Sequence, residues 1–181
     1  MTPLGPLSNA LETLRTAMLA QSTNFQAFLG VNTSEAAIAR TYLASLPPAE
    51  EVAGGDDSEE YTPDQWENTL RPFCLAYTSP TGGYTIKRES RYGFADRGKL
   101  FIELETNAPV AADLQPENAD RTILNQIGQI IADLVAMAGT PETLDIAQIV
   151  VAAGPSRERF EEVGGTGEYY WTLLELTWGP D

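Results

Sequence analysis

Apolar positions recur along the chain with two periods, and the switches between them mark out the elements. Over 8–19, Leu11, Leu14, Met18 and Leu19 recur at helical spacing behind Ser8, a residue suited to cap a helix, and Gln21-Ser22 interrupts the run. The spacing predicts a second short helix over 24–29, stopping at Gly30, where a left-handed residue costs little. A third over 35–39 has Thr33 or Ser34 as its cap, and 40–43 reads as a first strand. From 70 onward the period becomes two. Phe73, Leu75 and Tyr77 alternate over 70–78, with Pro72 suited to a strand start or edge.

After a turn by composition at 79–83, strands are expected over 84–92 and 98–106, with a bend or bulge at Gly93. In the second of them Leu100, Ile102 and Leu104 stand against Glu103 and Glu105, the pattern of a half-buried strand. The clearest helix follows. Ile123, Ile127, Ile131, Leu134 and Ala138 share a face flanked by Leu124 and Val135. Asn118 or Asp120 would cap its start, and Gly139 followed by Pro141 closes it. Two last strands are expected at 144–152 and 169–178, joined through 164–167, with Leu174, Leu176 and Trp178 facing one way. This order predicts an α+β fold in a single domain, 1–181. It would hold one mixed or antiparallel sheet of about five strands, an N-terminal helical segment, and one long helix packed on a face.

Composition changes the picture at one segment. Residues 47–68 carry eight acids and no lysine or arginine, together with Pro47-Pro48 and Gly54-Gly55. Such a stretch buries too little apolar surface to order itself, and it reads as an acidic surface loop or insertion. The whole chain has 26 acids against 11 bases, a formal charge of −15, which repels phosphate and argues against broad nucleic-acid binding. It also keeps copies apart until a specific contact overcomes the repulsion. No stretch approaches the roughly 20 apolar residues that span a bilayer. The N-terminus lacks a basic start and an apolar core, so no signal peptide is expected. The one cysteine, Cys74, has no intramolecular partner and reads as a packed thiol in a buried strand, suited to synthesis in a reducing cytoplasm.

Candidate chemistry is thin. The chain has no histidine, which removes the commonest general base, the Ser-His and Cys-His dyads, and imidazole metal ligands. The glycine-rich 164–167 lacks the lysine of a phosphate loop and leads into a strand, so it reads as a hairpin or flexible loop. Asp56, Asp57, Glu59 and Glu60 have oxygen enough for calcium but not the alternate spacing of a calcium loop, and read as a solvated acidic loop. No catalytic residue, cofactor or metal site is expected, and no enzyme; a carboxylate–metal hydrolase is the enzyme rival.

The informative charge feature is local. Lys87, Arg88, Arg91, Arg97 and Lys99 are five of the eleven bases, gathered within thirteen residues. One reading is a hairpin's solvent face, with cross-strand pairs to Glu89 and Asp96. The other is a positive patch that docks on the acidic surface of a neighbouring copy, with Asp56, Asp57, Glu59 and Glu60 as its counterpart.

The order of elements resembles the tail-terminator and tail-completion proteins of long-tailed bacteriophages. The resemblance rests on the Ala10–Arg15 helix with the 25–30 stretch, on Arg71-Pro72-Phe73, on 96–105, on the 123–138 helix, and on the closing strand ending Trp178-Gly179. It implies a structural virion protein, made in the host cytoplasm, that forms a hexameric ring at the head–tail joint. The ring would cap the tail tube, meet the tube protein and a head-completion protein, and let DNA pass without specific binding. Another neck component, such as a head-completion or minor tail protein, is the near alternative; a monomeric acidic protein-binding domain is the distant one.

Overall fold

The computed structural model describes residues 6–47, 70–78, 85–88, 94–107, 116–162 and 165–179. The acidic residues Asp56, Asp57, Glu59 and Glu60, the arginine Arg91 and the bend expected at Gly93 lie outside them. The chain opens with α1 (Pro6–Thr13), which widens into a π-helical turn (Leu14–Met18) and tightens into a 3₁₀ turn (Leu19–Gln21). The sequence pattern suggested one regular helix here. The change of winding turns Leu14, Met18, Leu19 and Ala20 all inward, each fully buried. Ser22 then caps α2 (Thr23–Phe28), its hydroxyl accepting from the Phe25 amide, and Thr33 caps α3 (Ser34–Ala39) by accepting from the Ala36 amide.

The strands are β1 (Thr41–Leu43), β2 (Phe73–Thr78), β3 (Thr85–Arg88), β4 (Phe94–Asn107), β5 (Ile146–Glu162) and β6 (Gly165–Trp178). They form one mixed sheet in the order β1-β2-β4-β6-β5; β1 runs parallel to β2 and every other pair is antiparallel. β3 pairs with β4 beyond the point where β2 stops. The long helix α4 (Pro116–Met137) connects β4 to β5. This is the expected α+β arrangement, with the helices on one face.

That face is built by register. Leu100, Ile102 and Leu104 of β4 lie opposite Leu176, Leu174 and Thr172 of β6, and on the other side Cys74 and Ala76 lie opposite Leu104 and Ile102. All are buried, and all but Thr172 share one apolar cluster with Ala10, Leu11 and Leu14 and with Ile123, Ile127, Ile130 and Leu134 of α4. Each such aliphatic side chain stabilises the fold by about 1.5–3 kcal/mol. Phe73, Leu75 and Tyr77 share a face as their alternation suggests, but it is the opposite one. β2 gives the helices its small residues, leaving room for α1 to approach. The Cys74 thiol is fully buried, and burial, aided by the charge of Glu103, pushes its pKa up, as a packed thiol requires.

Three further boundaries differ from expectation. α4 starts at Pro116, where the missing amide hydrogen costs nothing, so Asn118 and Asp120 lie inside the helix rather than capping it. Its buried stripe runs 123, 127, 130 and 134, with Ile131 only half-buried. β5 and β6 are far longer than their apolar cores, and Gly165 to Gly167 are strand, paired with Glu162 to Phe160. A ladder of backbone hydrogen bonds needs no side chains, so it continues where apolar alternation has stopped.

Two glycines are required by close approach. A Cβ on Gly98 would fall 2.7 Å from Trp178 Nε1, its cross-strand partner. Gly154, at φ +77°, sits in an irregular stretch of β5, and a Cβ there would meet the Trp171 carbonyl oxygen at 2.4 Å.

Candidate assembly surfaces

The lengths of the strands create the first feature. β4 and β6 pair from Gly98–Trp178 to Asn107–Tyr169. Among the described residues, those of β4 before Gly98 pair only with β3, and those of β6 before Tyr169 pair only with β5. Two-stranded arms therefore extend from opposite ends of the sheet. A lone two-stranded ribbon is marginal in water, and arms of this kind gain stability from a neighbouring surface.

The first arm holds the basic cluster. β3 puts Lys87 opposite Ala95 and Arg88 opposite Phe94, and Arg97 opposite Thr85, so the backbone brings Lys87, Arg88 and Arg97 onto one ribbon. Arg97 is exposed. Lys99 stands where the arm joins the sheet, and its ammonium donates to Glu175 at 2.5 Å. Lys99 is thus paired within the chain, with Glu175 of β6 and not with the Glu89 or Asp96 that the hairpin reading named.

The second arm carries charges that the sequence reading passed over. Arg157 and Arg159 of β5 both reach Glu168 of β6, Arg159 at 3.3 Å. Their alternation in 157–159, with a glutamate between, is the signal that could have placed them on one side of a strand. Next to them Tyr170 donates its phenolic hydrogen to Asp120 of α4. Burial, reinforced by that bond to a carboxylate, raises the Tyr170 pKa to about 12.

The sheet face turned away from the helices is the second feature. It carries Tyr42, Phe73, Leu75, Tyr77, Phe101, Trp171 and Leu173, and none of these belongs to the helix-covered core. Tyr77 stacks on Phe101 with ring centres 5.7 Å apart, and Tyr42 meets Phe73 edge-on at 6.2 Å. Every carboxylate among them has a local partner. Trp171 Nε1 donates to Glu103, Lys99 to Glu175, and Arg71 Nε to Glu105 at 2.6 Å. Arg71 and Glu105 are both buried, and the Arg71 guanidinium lies 3.6 Å above the Tyr169 ring. Glu105 thus sits buried where alternation suggested solvent. Burial, with the nearby charge of Glu103, also raises the Tyr77 pKa.

Among the described residues no three His, Cys, Asp or Glu side chains come together as a metal site, and no helix is long and apolar enough to cross a membrane. No protein-family model matches the chain, and no curated protein matches its sequence.

Proposed function

We propose that the chain is a structural assembly subunit that works through its surfaces, resembling the tail terminator of a tailed bacteriophage. Copies join head to tail into a closed ring, a hexamer by that resemblance, at the joint between head and tail in the virion. There the ring caps the tail tube and meets the tube protein and a head-completion protein. Acidic side chains give phosphates no foothold, so DNA passes through without specific binding.

The observation that carries this reading is the pair of charged arms at opposite ends of one sheet. An arm that reaches past the wider part of its own sheet offers a surface to a neighbour, and a head-to-tail ring uses the same arm at every junction. The basic arm, with Lys87, Arg88 and Arg97 and with Arg91 between its strands in sequence, is matched by a chain whose remainder is strongly acidic, including Asp56, Asp57, Glu59 and Glu60.

The test is a charge reversal on that arm. The double variant Arg91→Glu, Arg97→Glu leaves the subunit folded and lowers the fraction in rings at physiological salt, read by light scattering. Rings that persist undiminished in the double variant refute the role assigned to the arm.

A further inference from the structure

The two arms differ in the sign of their charge. Among the described residues the first, 85–88 with 94–97, has Lys87, Arg88 and Arg97 against the single acid Asp96. The second, 156–162 with 165–168, has Glu158, Glu161, Glu162 and Glu168 against Arg157 and Arg159. Both of these arginines are engaged by Glu168 of β6. The other three acids stand on β5, and Glu158 is exposed. One arm is left with an excess of two positive charges and the other with an excess of two negative ones. They do not meet within one chain. The ten residue pairs of β4 and β6, from Gly98–Trp178 to Asn107–Tyr169, hold the arms about 30 Å apart at the rise of an extended strand.

Both arms also present a strand edge. β5 is the last strand of the sheet, and its ladder to β6 runs without irregularity from Ser156 to Glu162. The outer edge of this stretch has backbone donors and acceptors that no described strand takes up. β3 is in the same position, for among the described residues it pairs with β4 alone. An open edge accepts other strands unless charge blunts it. The acids at 158, 161 and 162 turn away a second acidic strand and admit one that brings lysine or arginine. β3 brings two, Lys87 and Arg88. Set beside Glu161-Glu162 in either direction, Lys87-Arg88 forms two pairs of opposite charge, one on each face of the joined strands.

We infer that β3 of one copy adds to the distal edge of β5, Ser156 to Glu162, in the next copy, so that the basic arm docks on the acidic one. Backbone hydrogen bonds supply the contact, and the charges choose the partner. Every copy carries both arms, so each gives one contact and receives one, as head-to-tail closure requires. This inference rests on the reading of the chain as an assembly subunit and names the surface that receives the basic arm.

The experiment measures full-length proteins by light scattering over a concentration range at physiological salt. Lys87→Glu with Arg88→Glu makes the first arm acidic, and Glu161→Lys with Glu162→Lys makes the second arm basic. Each double variant alone should associate at least tenfold more weakly than wild type, with an unchanged circular dichroism spectrum. A milder variant, Glu161→Gln with Glu162→Gln, should weaken association less and guards against a fold lost to charge reversal. An equimolar mixture of the two reversed variants should recover association, because each then meets an arm of opposite sign on both sides. Amide exchange should show 85–88 and 156–162 protected in the wild-type assembly and in the mixture, and open in either variant alone. A β5 variant that associates as wild type does, or a mixture as weak as its components, overturns the inference. The ring reading fails separately: open chains that the mixture restores would reject the ring and keep the contact. Rings lost in the β3 variant but intact in the β5 variant would keep the basic arm and reject the β5 edge as its receiver. A wild type that stays monomeric at every concentration overturns both.

Discussion

The two faces of β4 differ in kind, although they belong to the same strand. Toward the helices stand Leu100, Ile102 and Leu104, wholly buried and uncharged. Away from them stand Lys99, Phe101, Glu103 and Glu105, whose charges are each answered by one side chain from β2, β4 or β6 or from the residues beside them. The first face stabilises by area removed from water, which is forgiving of detail. The second is held by specific pairs, where losing one member strands the other. A fold that places its directional contacts on one face leaves that face defined in shape.

The largest expected effect tests the directional side. Arg71→Ala leaves Glu105 buried without its guanidinium partner and removes the contact over Tyr169, costing about 3–5 kcal/mol by urea denaturation. If the loss is under about 1 kcal/mol, the outer face is not held as described. Ile102→Ala on the inner face opens a cavity and costs about 2–4 kcal/mol. The contrast sharpens with Ile102→Val, which should recover most of that loss, and Arg71→Lys, which should not, because an ammonium cannot reproduce the planar contact with Tyr169.

Tyr170→Phe removes the bond to Asp120 at a cost of about 1 kcal/mol at neutral pH, since Asp120 is exposed and can turn to water. It also has a pH signature. The folded state raises the tyrosine pKa from 10 to about 12, so its stabilisation is complete below pH 10 and disappears as pH rises through about 12. Between those values the wild type should lose stability more steeply than Tyr170→Phe, measured by melting temperature. Equal slopes would show that burial and the Asp120 contact together do not hold the phenol neutral. The smallest effect belongs to Lys99→Ala. Its pair with Glu175 is largely solvated, so the change should stay within about 1 kcal/mol and shrink further with added salt.

Elements with a periodic apolar face were legible in the sequence. The body of α4 and its stop at Gly139, the 100–104 and 174–178 alternations, the Thr33 cap and the Gly30 stop appear where spacing and cap chemistry put them, whereas the start of α4 does not. Legibility failed where backbone pairing outlasted the pattern. β5 and β6 run on through 153–162 and 165–168 without apolar alternation, so the sequence pattern places neither the second arm nor its Arg157–Glu168–Arg159 cluster. It failed again where two residue types compete for one face. Phe73, Leu75 and Tyr77 outweigh Cys74 and Ala76 in hydrophobicity, yet helix packing took the small pair. The basic cluster was visible as charge, but its division was not. Only register shows that Lys99 meets Glu175 while Lys87, Arg88 and Arg97 sit on the projecting ribbon.

The central claim is that the chain assembles with copies of itself into a closed ring. The most direct measurement is the mass of the purified full-length protein by light scattering over a range of concentrations, with negative-stain images of the same samples. The account predicts a discrete particle of about six copies of the 19.7 kDa chain with a central hole. A particle that remains a single chain at every concentration would contradict it.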